Sequence, residues 1–206
     1  MYNYSIMFYQ IIKRILDIIG SLIGIIILLP FIPFIAIAIE LDSKGSVFVK
    51  LDRVSEGKIV KVYKFRSMVV GAAEKKKDLL SRNERKDGPF FKIKNDPRIT
   101  KTGKFLRKTR IDELPQLINV FKGELSLVGP RPHEPGELFA YPREYRILLS
   151  AKTGITGLSQ VNGASSLPFL KELELDKYYL DNQSFWLDFK ILLKTLFVFL
   201  TDPTGV

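Results

Sequence analysis

Asp112 and Glu113 stand side by side in "RIDELPQL" (Arg110 to Leu117), at the end of one of the most basic stretches of the chain. Between Lys92 and Arg110 there are eight Lys or Arg and one acid, Asp96. Adjacent acids in that position have two readings. In the first, Asp112 is a helix N-cap, Glu113 is favoured in the first turn by the helix dipole, and Pro115 falls where its missing amide costs nothing. In the second, the helix N-terminus and Arg107, Lys108 and Arg110 lower the carboxylate pKa and gather phosphate, so that an ionised nucleophile faces an anion. The basic groups would then neutralise a polyphosphate so that a carboxylate can reach its phosphorus, while the neighbouring acid holds Mg2+.

Three further stretches carry polar groups suited to the same chemistry. "VGPRP" (Val128 to Pro132) holds Arg131 between two prolines in stiff, extended backbone, which suits either a fixed phosphate fork or a structural salt bridge. "YKFRSM" places Lys64 and Arg66 on one face of a predicted strand, where solvated charges are the ordinary explanation. "GITGLSQVNG" reads as a glycine loop in which Gln160 and Asn162 can hydrogen-bond a base or sugar. The lone histidine, His133, reads as a solvated neighbour of the rigid turn, and with no cysteine in the chain it leaves no thiolate nucleophile or thiolate metal site. There is no Walker-type phosphate loop, no G-x-G-x-x-G and no D-x-D pair.

These groups must be positioned by a single ordinary domain, since the chain has 206 residues. A net charge of +10 and pI near 9.6 imply an anionic partner: nucleic acid, phospholipid or a phosphorylated small molecule. Ile18 to Ile39 is a run of 22 residues without a charge, long enough to span a bilayer. Pro30 and Pro33 interrupt it, which predicts two arms of about 18 Å or less at 1.5 Å per residue. Lys13 and Arg14 precede the run and Lys44, Lys50 and Arg53 follow it, so positive charge favours the cytoplasmic side at both ends. A kinked span and a re-entrant hairpin both satisfy this pattern. Glu40 and Asp42 follow at once with no small-residue cleavage site, against a removable signal peptide.

Downstream, "SVFVKLDRV" and "KIVKVYKFRSM" alternate around Glu56-Gly57 as a strand pair, and a basic helical piece is predicted near Ala72 to Arg85. Leu114, Leu117, Ile118 and Phe121 share one helical face. "SFWLDFKILLKTLFVFL" reads as a buried or interfacial helix, with Trp186 and the lysines suiting the interface.

Taken in order, "KRILD", the proline-broken run, "YKFRSM", "NDPRIT", "GKFLRKTRIDELPQLINVFKGELSLVGPRP", "GITGLSQVNG" and "ELDKYYLDNQSFWLD" resemble the bacterial sugar transferase family of monotopic phosphoglycosyl transferases, in its minimal catalytic form. The resemblance implies transfer of a phosphosugar from a UDP-sugar to polyprenyl (undecaprenyl) phosphate through a covalent aspartyl-phosphosugar, with release of UMP, as the first membrane step of polysaccharide or glycoconjugate synthesis. Asp112 matches the nucleophile and Glu113 the acid associated with Mg2+. Arg107 and Arg131 match phosphate-handling arginines, Lys64 and Arg66 are weaker candidates, and Gln160 and Asp176 lie in matching motifs without an assigned role. The implied fold is membrane-associated α/β (α+β), with residues 1–42 as a re-entrant helix broken at Pro30 and residues 43–206 as a cytoplasmic catalytic domain with interfacial helices. It places the protein on the cytoplasmic face of the bacterial inner membrane, without a nucleic-acid partner and with a homodimer allowed. Two departures stand out: Leu29 replaces the serine common before that proline, and Thr153 replaces a proline before "GITG". The competing readings are a membrane-anchored basic protein that binds nucleic acid or anionic lipid without catalysis, and a scaffold for other membrane enzymes.

Overall fold

The structure, a computed structural model, describes residues 4–163 and 166–201. Helix α1 spans Tyr4–Leu28, one 3-10 turn covers Leu29–Phe31, and α2 continues over Ile32–Asp42. The backbone remains right-handed helical at Leu28, Phe31 and Ile32. Pro30 and Pro33 therefore tighten one turn without opening a loop. The arms are 25 and 11 residues long. The first exceeds the expected length because Lys13, Arg14 and Asp17 lie inside the helix and not in front of it.

Those charges face the body of the protein. Lys13 Nζ lies 2.7 Å from Asp188, Arg14 donates to the carbonyls of Val120 and Phe121, and Asp17 accepts from the Ser126 hydroxyl and the Leu127 amide. Gly20, Ser21, Gly24 and Leu28 continue the same stripe at helical spacing. A Cβ on Gly20 would meet the Leu127 side chain at 2.7 Å, and one on Gly24 would meet Leu117 at 2.8 Å. The opposite face of α1, including Phe8, Ile15, Ile19, Leu22 and Ile26, is exposed. At the far end of the run Asp42 accepts from the Thr102 amide at 2.6 Å, and Ala38 from the Thr102 hydroxyl.

Strands β1 (Phe48–Ser55) and β2 (Lys58–Phe65) form the expected antiparallel hairpin. Glu56 and Gly57 both take positive φ, the mirror-image turn that matches strand twist. A 3-10 stretch over Glu74–Arg82 replaces the expected basic helix. It is followed by α3 (Lys101–Lys108), a 3-10 turn (Ile111–Gln116) and α4 (Leu117–Lys122). The "GITG" segment is not a loop. Gly154–Thr156 forms β4, parallel to β3 (Ser126–Val128). Gly154 and Gly157 press so closely on Gly129 that a Cβ on either would lie 2.1 Å from its backbone.

The chain ends in a short α5 (Leu158–Val161), α6 (Phe169–Asp181) and α7 (Phe185–Thr201). Several small apolar clusters replace one large core. Leu28, Ile39, Phe65 and Leu106 join both N-terminal arms to β2 and α3, while Val128, Tyr179 and Ile191 join β3 to α6 and α7. In α4 the predicted face is broken, since Ile118 and Phe121 stay exposed while Leu117, Asn119 and Val120 turn inward. The side chain of Asn119 bonds to the backbone of Tyr63 and Lys61 in β2, and this turns the Asn119–Val120 side of α4 inward. Helix α7 turns Asp188 and Ile191 inward and leaves Trp186, Phe189, Leu193, Leu196 and Phe197 exposed.

Candidate active site

Three local devices bring the basic and acidic residues together. Arg110 takes a left-handed backbone (φ 54°), which costs a non-glycine residue about 1–2 kcal/mol and swings the chain from α3 into the 3-10 turn. Asp112 is therefore not the N-cap; it sits within the turn, 6% exposed. Asn119 is the second device. Its amide accepts from the Tyr63 N–H and donates to the Lys61 carbonyl, so it completes the free edge of β2 and clamps α4 there. This sets Lys64 against Glu113, with Nζ 2.5 Å from Oε1.

The third device fixes Arg107. Thr100 caps α3 by accepting from the Gly103 amide, and the Ser67 carbonyl accepts from the Thr100 amide. Arg107 Nε then donates to the Ser67 hydroxyl at 2.9 Å. A Cβ on Gly103 would lie 2.0 Å from the Ser67 carbonyl oxygen, a backbone atom that cannot swing away. Gly103→Ala is expected to destabilise the protein by about 1–3 kcal/mol through overpacking. It should also displace Arg107 from the Ser67 hydroxyl; a thermal melt with wild-type Tm would refute the close approach.

The two carboxylates diverge electrostatically. Burial pushes the Asp112 carboxyl up to about 6, against the pull of Lys64 and Arg107, while the Glu113 charge adds to the rise. Burial also pushes Glu113 up, but the Lys64 ammonium in direct contact outweighs it and holds the group below its ordinary value, with Arg131 and Arg110 assisting. A proton entering the pair thus goes to Asp112. This reverses the expectation that the basic stretch lowers Asp112: charge is legible in sequence, and desolvation is not. At neutral pH Asp112 is still largely ionised, in a pocket of positive charge.

Arg131 lies beyond β3, its amide donating to Asp176 at 3.0 Å and its half-exposed guanidinium 3.9 Å from Glu172. Burial pushes Asp176 up to about 6. Arg66 does not join the site. It follows the last residue of β2, is 5% exposed, and donates to the carbonyls of Ser43 and Lys44, tying β2 to the end of α2. Gln160 donates to the Ile155 carbonyl, and Asn162 accepts from Lys194 and donates to the Leu158 carbonyl, so both serve the local fold. His133 is buried, not solvated. Pro30 occupies the 3-10 turn between the arms.

A sequence profile of the bacterial sugar transferase family matches residues 8–202. The chain belongs to this family. It is 45% identical over 203 residues to galactosyl transferase CpsE of Streptococcus agalactiae, covering 96% of this chain and 45% of that protein. It is 40% identical over 201 residues to a UDP-glucose:undecaprenyl-phosphate glucose-1-phosphate transferase of Klebsiella pneumoniae, covering 91% and 40% of the two chains. The chain thus spans less than half the length of these relatives. Exopolysaccharide production protein PSS of Rhizobium leguminosarum is closer in size, 38% identical over 210 residues with 95% and 98% covered.

Among the described residues no group of three or more acids or histidines could hold a metal. Asp112 and Glu113 nonetheless suit a hard divalent cation of the Mg2+ type, which commonly takes one or two carboxylates and fills its shell from phosphate and water. Lys64 engages one oxygen of Glu113, leaving the other available on a side chain that is 37% exposed.

Proposed function

We propose that this family member transfers a phosphosugar from a UDP-sugar to a polyprenyl phosphate, with Asp112 as the nucleophile. The observation that carries the reading is a buried carboxylate kept beside Lys64 and Arg107, next to an acid already neutralised by Lys64. A passive anion-binding surface has no use for Asp112, because its charge would repel the ligand. An Asp112 oxygen attacks the phosphorus bonded to the sugar, and the bond from that phosphorus to the bridging oxygen breaks. UMP leaves with the bridging oxygen. A phosphate oxygen of the lipid then attacks the same phosphorus, the acyl-phosphate bond breaks, and Asp112 returns as a carboxylate beside a polyprenyl diphosphate sugar.

Arg107 and Arg131 would hold phosphate oxygens, and Lys64 would keep Glu113 ionised and oriented. When bound at Glu113, Mg2+ would neutralise charge on the diphosphate. The activity in the name of the Klebsiella relative and the sugar in that of the Streptococcus relative make UDP-glucose and UDP-galactose the first donors to test.

The reading places the exposed apolar faces of α1 and α7 in the cytoplasmic leaflet, with the run Tyr4–Asp42 re-entrant. Contacts at both ends of the N-terminal run support this. Lys13 and Arg14 near one end and Asp42 at the other bond to the same body of the protein. A helix crossing about 30 Å of hydrocarbon would carry one end away from it. The deciding measurement is UMP release from a panel of UDP-sugars with polyprenyl phosphate and Mg2+ in nanodiscs, together with a search by mass spectrometry for a phosphosugar adduct on the 110–117 peptide. Without lipid the covalent route releases UMP once per protein and leaves the adduct, and only lipid allows further turnover. UMP release that waits for lipid, with no adduct under single-turnover conditions, would overturn it.

A further inference from the structure

His133 is the only histidine in the chain, and its ring is buried between Phe90, stacked at 5.1 Å, and Tyr141, edge-on at 5.6 Å. A carboxylate faces each ring nitrogen. Glu137 Oε2 lies 3.5 Å from Nδ1 and Glu172 Oε1 lies 3.4 Å from Nε2. Glu172 has no solvent exposure, and neither of its oxygens accepts an aligned hydrogen bond. Its second oxygen faces the Arg131 guanidinium at 3.9 Å. One turn further along α6, Asp176 holds the Arg131 amide. Helix α6 thus directs two buried carboxylates at one arginine, one toward its backbone and one toward its side chain.

A buried carboxylate without counter-charge is strongly disfavoured, so Glu172 needs a cation. A neutral imidazole has one N–H and meets only one of two carboxylates, whereas imidazolium donates from both nitrogens. We propose that His133 is a positioning residue: as an imidazolium it neutralises Glu172, leaving the Arg131 guanidinium free to turn toward the donor diphosphate. Deprotonation leaves Arg131 as the nearest cation to Glu172 and draws the guanidinium inward. The proposal rests on the reading of Arg131 as a phosphate ligand.

The other charged groups around the ring are consistent with this role. Burial alone would expel the proton from His133, but Glu137 and Glu172 outweigh it and hold the imidazole above its ordinary value, against the nearby Arg131. From β1, Arg53 acts on Glu137, and from α6 Asp176 acts on the same cluster, with the Tyr141 ring closing it.

A single histidine makes the test direct. In tag-free protein carrying 15N-labelled histidine, one imidazole signal is followed through its titration by NMR, and the Kd values of UDP-galactose and UDP-glucose are measured over the same pH range. The diphosphate of a UDP-sugar is esterified at both ends and gains no charge there. The wild-type imidazole is expected to titrate above 6.5, and in Glu172→Gln to fall by about one unit or more. The Kd of wild type should weaken about tenfold as the proton leaves, the low end for a charge-assisted hydrogen bond, and His133→Gln should bind weakly at every pH. An imidazole titrating at or below 6.5, or tight binding that is flat across its titration, overturns the proposal. Absence of binding by either sugar nucleotide at any pH overturns the phosphate-site reading with it.

Discussion

Asp112→Asn is expected to abolish UMP release and, in the same protein, to raise the melting temperature. Removal of a covalent nucleophile costs roughly 10³-fold or more in rate. The stability gain follows from burial. An aspartate in the unfolded chain ionises near 3.8, whereas Asp112 in the folded protein ionises near 6. The folded state therefore binds the extra proton between those values, and stability falls as pH rises through that window. Below it the cost is absent; at neutral pH it is fully present. Asparagine removes it, a gain of about 1–3 kcal/mol from a shift of this size, or roughly 2–10 °C in Tm for a chain of this length. The gain should shrink as pH falls through that window and vanish below about pH 3, where the wild-type carboxyl is protonated in both states. Wild-type turnover should fall as pH drops through 6. Loss of activity with a lowered Tm at neutral pH would mean that Asp112 holds the fold together, which is what the N-cap reading requires.

Much of the site is legible in sequence because residue type alone identifies it: paired acids beside eight cations and a proline-fixed arginine are local features. The β1–β2 hairpin is legible for the same reason, since alternation and Glu56-Gly57 lie within one window. What escapes depends on partners distant in the chain. Asn119 reads as an ordinary polar helix residue until β2 is beside it. Asp17 lies one residue before the charge-free run and looks like its flank, although it is an inward anchor to Ser126 and Leu127. Alternation puts Arg66 beside Lys64, but β2 stops one residue earlier, at Phe65. Gly154–Thr156 is too short a strand for any periodicity, and its glycines look like turn residues until Gly129 is found against them. Glu172 and His133 are 39 residues apart in the chain, with β4 and α5 between them, so no sequence window contains the cluster.

Asp188→Ala is expected to cost about 3–5 kcal/mol, the largest stability loss of any substitution considered for this protein. Asp188 Oδ2 accepts from Lys13 at 2.7 Å and from Tyr9 at 2.9 Å, while Oδ1 accepts from Tyr179 at 2.6 Å. One carboxylate on α7 thereby satisfies α1 twice and α6 once. The Lys13 and Asp188 side chains are only 15% and 13% exposed, so removal of the acid strands an ammonium and two hydroxyls where water scarcely reaches. Lys13→Met should cost much less, because the carboxylate then keeps both tyrosine donors. That asymmetry separates a shared acceptor from a simple ion pair, for which the two substitutions would cost about the same. Denaturant or thermal unfolding in detergent measures it, with Asp188→Asn between the extremes. The Tyr179 hydroxyl also lies 3.4 Å from the Val128 carbonyl, at the end of β3 where the chain enters the turn bearing Arg131. Loosening this brace should therefore weaken UDP-sugar binding as well as stability, and binding that survives intact would confine Asp188 to setting the apolar faces of α1 and α7 in register.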